Sequence, residues 1–184
     1  MGSGLRLAAG RANWCLSHPP SDEGAPEQEV PTEQGEEESG EPEPPCPTES
    51  ESFRMIVPGQ EGHTCRYVFV NNCQPFWTAQ RLCARCYRGR LASIHNYATN
   101  HRLRCTARAR TNRGQVWIGG ITFRRVRRYR RVCSRWIDHS PWNYSNWARG
   151  NPRCARKTCV ALCTRGGKWR SVNCRARLPF ICAY

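Results

Sequence analysis

The fold is decided by the stretch Val116-Trp117-Ile118-Gly119-Gly120, which runs directly into Ile121-Thr122-Phe123. An apolar run that holds a tryptophan and closes on two glycines is typical of a buried strand. The segment that follows, residues 124–135, carries seven arginines around single apolar residues. A piece of the core is therefore joined directly to a dense positive charge.

The charge of the chain is divided sharply between two parts. Residues 1–63 carry thirteen of the fourteen acids and three arginines, for a net charge of −10. Residues 64–184 carry 26 Lys and Arg and a single acid, Asp138, for a net charge of +25. An ordinary solvated surface would intersperse acids with bases. The imbalance, and the planar fork with which arginine grips sulfate, phosphate or carboxylate, favour a surface that binds anions.

Thirteen cysteines, eleven of them after residue 63, predict disulfides formed in an oxidising compartment, and hence a secreted protein. The first ten residues lack the sustained apolar core of a signal peptide, because Arg6 interrupts it and Arg11 follows. We therefore expect the true amino terminus to lie elsewhere. No apolar run approaches the length of a transmembrane helix.

The acidic part is expected to be disordered, because residues 19–61 are rich in Pro, Glu, Gly, Ser and Gln and have few large apolar side chains. Ser39 precedes a glycine among acids, which is the usual setting for glycosaminoglycan attachment; chance occurrence in such a tail is the alternative. The segment Phe53–Pro58 interrupts the acidity, and either docks on the basic domain or is a processing region. Cys15 and Cys46 are either thiols for covalent capture of a partner or incidental.

A tethered acidic arm sees the basic part at roughly millimolar effective concentration, so it can act as a propiece that neutralises its own domain. The alternative is a passive acidic linker. We accordingly divide the chain into a disordered acidic segment, 1–63, and an arginine-rich domain, 64–184.

Order is predicted to begin at Thr64. Helices are expected from Gln74 to Cys86 and from Tyr97 to Arg110, by their apolar periodicity. Apolar residues recur every three positions between 123 and 132, which fails the strand period of two, so an irregular or partly stranded loop is expected there. The predicted strands are Cys65–Val70, Leu91–Ile94, Val116–Gly120, Cys159–Leu162 and Leu178–Tyr184. The segment Trp136–Pro152 is expected to be irregular.

This order of elements resembles the C-type lectin-like domain over residues 64–184. The matching landmarks are Cys83, Leu91-Ala92-Ser93-Ile94, Trp117-Ile118-Gly119, Trp136-Ile137-Asp138, Trp142-Asn143-Tyr144, Trp147, Asn151-Pro152, Cys159-Val160-Ala161-Leu162, Trp169, Cys174 and Pro179-Phe180-Ile181-Cys182. The resemblance implies an α+β fold in which two helices flank small antiparallel sheets beside a long irregular loop region. It also implies the disulfides Cys83–Cys182 and Cys159–Cys174.

A narrower resemblance is to granule-stored members of that family in which an acidic, glycosaminoglycan-bearing propiece precedes an arginine-rich domain. It rests on Cys83–Gly89, Ser93–Asn96, Gly114–Gly120 and Cys159–Gly167. This resemblance implies a cytotoxic protein of innate defence that is secreted and stored in secretory granules.

The chain departs from the calcium-binding members of the family. Where those members have carboxylates and amides, this chain has Asn151-Pro152-Arg153 and Trp169-Arg170-Ser171. Ca²⁺ takes six to eight oxygen ligands with carboxylates among them, so calcium-dependent sugar binding is not expected, and no metal or cofactor is expected.

Two other kinds of chemistry are weighed. A zinc site from Cys83, Cys86, Cys159 and Cys163 has suitable thiol spacing, but the resemblance places two of these in disulfides. His95, His101 and His139 would suit a ribonuclease only if paired, and none lies in a recognisable motif. We therefore expect no enzymatic activity.

The predicted function is calcium-independent binding of sulfated glycans such as heparin, and damage to anionic membranes. The partners are sulfated glycosaminoglycans, anionic membrane surfaces and the chain's own propiece, with no specific nucleic acid. The alternative is a non-toxic binding module that captures a protein partner, which can be disulfide-linked, through glycosaminoglycan and cysteine contacts. Asn143 opens an N-glycosylation sequon. The candidate anion-binding residues are Arg124, Arg125, Arg127, Arg128, Arg130, Arg131, Arg149, Arg153, Arg165 and Arg170.

Overall fold

The computed structural model describes residues 42–58, 64–127, 129–153 and 157–184, with side chains described outside 124–132. Ser39 and Cys15 lie outside these ranges. The helices are α1 (Phe76–Tyr87) and α2 (Tyr97–Arg110). The strands are β1 (Ser52–Pro58), β2 (Thr64–Gln74), β3 (Arg90–Leu91), β4 (Gln115–Arg127), β5 (Tyr129–Trp136), β6 (Lys157–Cys163), β7 (Trp169–Val172) and β8 (Leu178–Ala183).

The described strands join into one eight-stranded sheet rather than separate small ones. Its main path is β1-β2-β8-β4-β6-β7, with β3 paired to β8 and β5 paired to β4. The pairing is antiparallel except where Trp117 of β4 lies beside Phe180 of β8. Two helices and a largely antiparallel sheet confirm the predicted α+β fold.

The predicted core strand lies at the centre of this sheet. Trp117 and Ile118 are fully buried, and the Trp117 indole Nε1 donates to the Gln74 carbonyl oxygen at 2.9 Å. Gly119 N donates to the Ala92 carbonyl oxygen at 2.8 Å. A Cβ on Gly119 would lie 2.3 Å from the Leu91 carbonyl oxygen, so only glycine lets the two backbones approach this closely.

The first helix presents one apolar face to the core, formed by Phe76, Ala79, Leu82 and Cys83. Phe76 packs edge-on against Trp117, with ring centroids 5.5 Å apart. Trp77 is 39% exposed, because the next helical position turns about 100° away from Phe76.

The second helix has the predicted bounds. The Asn96 side chain caps it by accepting from Thr99 N at 2.7 Å, which satisfies one of the free N–H groups of the first turn. Leu103 and Ala107, one turn apart, are both fully buried.

The arginine-rich segment forms a strand hairpin, so of the two expected forms, irregular or partly stranded, the structure has the stranded one. β4 continues to Arg127, β5 returns from Tyr129, and Arg125 faces Arg131 across the pair. Pairing in a hairpin depends on backbone hydrogen bonds and turn geometry, so the lack of an alternating apolar pattern did not exclude a strand.

The acidic segment is not disordered throughout, which corrects the expected boundary. β1 pairs with β2 in register from Ser52 opposite Val70 to Pro58 opposite Thr64. Val57 of β1 is 1% exposed and belongs to the core. The boundary expected between residues 63 and 64 therefore falls between two paired strands. The propensity of the apolar run in residues 53–58 outweighs the acidic composition around it.

The expectation for Cys46 is also corrected, because Cys46 forms a disulfide with Cys86 and offers no thiol for a partner. The structure contains the two pairs that the resemblance implies: Cys83–Cys182, with an S–S distance of 1.98 Å, and Cys159–Cys174, at 2.10 Å. The thiolates of the zinc alternative are thus largely used in disulfides. Cys65 is disulfide-bonded as well. The free cysteines among the described residues are Cys73, Cys105, Cys133 and Cys163.

Candidate functional site

The long segment between β5 and β6 has almost no regular structure over its described residues, 137–153, and an aromatic cluster fixes its shape. Trp142 stacks on buried Trp136 at 4.3 Å between ring centroids and on Trp147 at 5.9 Å. The ring of Trp169, on β7, meets Trp142 edge-on at 5.7 Å. Tyr144 joins the cluster, and burial raises the pKa of its hydroxyl, which therefore stays protonated at neutral pH.

Buried Asn100 of α2 connects this cluster to the turn between β6 and β7. Its Oδ1 accepts from the Trp169 indole Nε1 at 2.7 Å, and its Nδ2 donates to the Gly167 carbonyl oxygen at 3.0 Å. Asn146 Nδ2 donates to the same carbonyl at 2.8 Å, and Lys168 Nζ donates to Asn146 Oδ1 at 2.8 Å. The loop, the turn and the second helix are therefore held as one surface.

The single carboxylate of residues 64–184 is engaged by its neighbours. Asp138 Oδ2 accepts from Ser93 Oγ at 2.6 Å. Its Oδ1 accepts from Ser140 N at 3.0 Å and from Ser140 Oγ at 2.6 Å. Asp138 thus serves the local structure between β3 and the loop.

The histidines make contacts in separate places. His95 lies with Nε2 3.1 Å from Ser93 Oγ and Nδ1 2.8 Å from Asn143 Oδ1. His101 of α2 contacts Cys105 Sγ at 3.6 Å. His139 lies in a turn with positive φ. These contacts do not form the histidine pair that a ribonuclease would need.

The positions that match calcium ligands in other family members bond to one another. Asn151 Oδ1 accepts from Ser171 N at 2.9 Å, and Ser171 Oγ accepts from Arg153 N at 3.2 Å. Within the described ranges, no group of three or more His, Cys, Asp or Glu side chains could hold a metal ion. This donor set does not fit Ca²⁺, which needs several carboxylate oxygens.

Four of the predicted anion-binding arginines have described side chains, and all four are exposed. Arg149 and Arg153 belong to the loop, whose backbone runs beside β7: Ala148 N donates to the Trp169 carbonyl oxygen at 2.9 Å. Arg170 follows Trp169 on β7. Arg153 N also donates to Ser171 Oγ on β7, so the three residues lie on neighbouring stretches of backbone; we call Arg149, Arg153 and Arg170 the loop arginines. Arg165 lies in the turn between β6 and β7.

The other six predicted arginines are on the β4–β5 hairpin, and their side chains lie outside the described part of the structure. Sequence reasoning missed Arg104, whose Nη1 donates to the Arg165 carbonyl oxygen at 2.8 Å. It also missed Arg81 and Arg85 of α1, which contact the acidic segment. Arg81 and Arg85 are four residues apart on a predicted helix, which was the one sequence signal that they share a surface. Their partner, Glu43, is distant in sequence, so the contact itself could not be read.

Asn143, the glycosylation candidate, is exposed beside the aromatic cluster. Ser145, the third residue of its sequon, accepts from the Trp142 indole Nε1 at 2.7 Å through Oγ. In the part of the chain that is described, neither helix is long and apolar enough to cross a bilayer.

Comparison with known proteins adds close relatives. The chain is 48% identical over 142 residues to bone marrow proteoglycan of Homo sapiens, covering 76% of this chain and 60% of that protein. It is 44% identical over 142 residues to eosinophil granule major basic protein 1 of Cavia porcellus, covering 76% and 58%. Proteoglycan 3 of Mus musculus is 42% identical over 140 residues, covering 76% and 60%. The chain thus spans about 60% of the length of the relatives it matches.

Solved structures give the same fold. Human lithostathine superposes with a TM-score of 0.57 and 23% identity, covering 70% of this chain and 95% of that one. A calcium-independent type II antifreeze protein gives a TM-score of 0.55 at 21% identity, covering 71% and 95%. The family model of the lectin C-type domain matches residues 72–184. The chain therefore belongs to the C-type lectin domain family.

Proposed function

We propose that the chain binds sulfated glycans of the heparin and heparan sulfate class without calcium. One observation carries this proposal. The sole acidic side chain of residues 64–184, Asp138, accepts three hydrogen bonds from Ser93 and Ser140, whereas the same residues carry 26 Lys and Arg, a surplus of 25 positive charges. Anions from outside residues 64–184 are therefore needed to neutralise most of these cations.

The loop arginines are the part of this charge that the structure supports best. Arg149, Arg153 and Arg170 are exposed on the loop and on β7, the two elements that also carry the aromatic cluster. Guanidinium groups form charge-assisted hydrogen bonds to sulfate oxygens, and each contact releases counterions from the polyanion. Calcium is not required, because its ligand positions are occupied by the Asn151–Ser171 hydrogen bond.

Retention on immobilised heparin is expected to be the same with calcium as with EDTA, and elution is expected to need high salt. Replacing the loop arginines by glutamine (R149Q/R153Q/R170Q) should weaken binding about tenfold and lower the log–log salt slope by roughly 2 to 3, by analogy with phosphate contacts. The matched control is R102Q/R108Q/R113Q, which removes the same charge from exposed positions elsewhere. Equal losses in both variants would mean that total charge, not this surface, binds the glycan. Micromolar calcium binding by calorimetry would contradict calcium independence.

Damage to anionic membranes is the second function of this charge. Tyr97, 68% exposed, and Trp77, 39% exposed, stand on helices that also carry arginines. A Lys or Arg near an anionic bilayer surface contributes about 1 kcal/mol of attraction, and aromatic rings then insert at the interface. Dye release is expected from vesicles rich in phosphatidylserine and not from phosphatidylcholine vesicles, and it should rise when residues 1–41, which carry nine of the fourteen acids, are removed. Equal leakage from both would argue against attraction by charge.

We also propose that the acidic segment masks the domain until release and that the protein is stored in secretory granules. Masking is supported by the ion pairs of Glu43 with Arg81 and Arg85, and granule storage by relatives named as eosinophil granule proteins.

The alternative function remains that of a non-toxic module that captures a protein partner. Cys105 is free and exposed on α2, and among the described cysteines it is the one exposed thiol that could make the capture.

A further inference from the structure

Residues 42–46, here called the strap, lie against α1. Glu43 Oε1 is 2.7 Å from Arg81 Nε, and Glu43 Oε2 is 2.6 Å from Arg85 Nη1. The Pro44 carbonyl oxygen accepts a further hydrogen bond from Arg85 Nη2. The strap ends at Cys46, which is joined covalently to Cys86, the residue after Arg85. One carboxylate is therefore held between two guanidinium groups.

These two arginines form a site for an anion. They are four residues apart, one helical turn, where like charges repel unless an anion lies between them. Helix α1 itself contains no acid, and Asp138 is engaged by Ser93 and Ser140. Arg81 is also oriented by its own helix, because its Nη2 donates to Thr78 Oγ1 at 3.3 Å. The structure shows this pair filled by a carboxylate of the same chain.

The Glu43 carboxylate stands in for the anionic group of an external ligand. A sulfate ester presents the same feature as a carboxylate, two acceptor oxygens that can face two guanidinium groups at once. We propose that Arg81 and Arg85 form a sulfate-binding subsite for sulfated glycans, and that Glu43 occupies this subsite as an internal competitor. This inference rests on the proposed function. It adds a second binding site, separate from the loop arginines, and a residue that regulates it.

Two opposing features, the weakness of the Glu43 ion pairs and the tethering of Glu43, determine whether an external ligand displaces it. The side chains of Arg81, Arg85 and Glu43 are 49%, 42% and 47% exposed, and ion pairs this exposed are individually weak. The Cys46–Cys86 disulfide keeps the carboxylate within a few residues of its partners, so its effective concentration stays high. A polysulfated chain that already binds elsewhere on the domain would displace Glu43 by the same tethering effect.

The test compares two variants that remove one negative charge from the same segment. Glu43→Gln removes the competitor, whereas Glu49→Gln is exposed in the turn after the strap and contacts neither arginine. For a heparin oligosaccharide of defined length, Glu43→Gln in the full chain should bind about three to ten times more tightly than the parent, because tethered competitors depress affinity by their effective concentration. Glu49→Gln should bind nearly as the parent does.

Two further variants test whether the gain in heparin affinity depends on Arg81 and Arg85. Adding R81Q/R85Q to Glu43→Gln should return the affinity to the parent value or below, while adding R102Q/R108Q, also exposed, should leave most of the gain. If Glu43→Gln binds heparin no more tightly than Glu49→Gln, the inference is overturned while the proposed function stands. If neither the parent nor Glu43→Gln binds heparin at all, the proposed function fails, and this inference fails with it.

Discussion

Replacing both Cys83 and Cys182 by alanine is expected to lower the free energy of unfolding by about 4–5 kcal/mol. This disulfide spans 99 residues and joins α1 to β8, so it closes most of the domain into one loop. Removing it restores the conformational entropy of that loop to the unfolded chain. Both cysteines are fully buried, so their sulfur packing is lost as well. Guanidinium unfolding followed by tryptophan fluorescence measures the change.

The matched control is the double replacement of Cys159 and Cys174, whose disulfide spans 15 residues. Loop entropy predicts a smaller loss there, about 3 kcal/mol. The decisive result is which of the two variants loses more free energy of unfolding. A larger loss from the short loop than from the long one would show that packing, not chain entropy, dominates both disulfides.

Gly119→Ala is expected to destabilise the fold by about 3 kcal/mol or more, because overpacking against backbone cannot be relieved by rotating a side chain. The new Cβ would lie 2.3 Å from the Leu91 carbonyl oxygen and 3.0 Å from its carbon. Relief would require β4 and the segment after β3 to separate. The hydrogen bond from Gly119 N to the Ala92 carbonyl oxygen would then lengthen or break.

Gly114→Ala and Gly166→Ala are the controls, since a Cβ at either position has no atom within 4 Å. Both should stay within about 0.5 kcal/mol of the parent, the usual range for exposed substitutions. Thermal unfolding of the three variants checks the contrast. An unfolding midpoint of Gly119→Ala equal to those of the controls would contradict the close approach of the two backbones.

The elements that sequence predicted well are those with strong local signals. The second helix has an asparagine at its amino-terminal cap and Leu103 and Ala107 one turn apart on its buried face, so its bounds were readable. The core strand was readable from Trp117, Ile118 and the following glycines. The reason for Gly119 was not, because it depends on Leu91, which is 28 positions earlier in the chain.

What sequence could not supply was pairing between distant segments. β1 looked like a brief apolar interruption in an acidic arm, and only its register with β2 makes it part of the sheet. The contacts of Glu43 with Arg81 and Arg85 cross about forty residues and depend on the Cys46–Cys86 bond. For the candidate site, composition indicated the class of ligand, whereas the grouping of the loop arginines depended on hydrogen bonds such as the one between Asn151 and Ser171.

The position of β1 at one end of the sheet path has a consequence for solubility. While β1 is present, the backbone N–H and C=O groups of β2 on that side are paired along seven register positions. A chain shortened beyond Pro58 would present β2, with its run Tyr67-Val68-Phe69-Val70, as an open edge that can pair with another copy. Removing the acidic segment would thus uncover a self-association surface together with the positive charge.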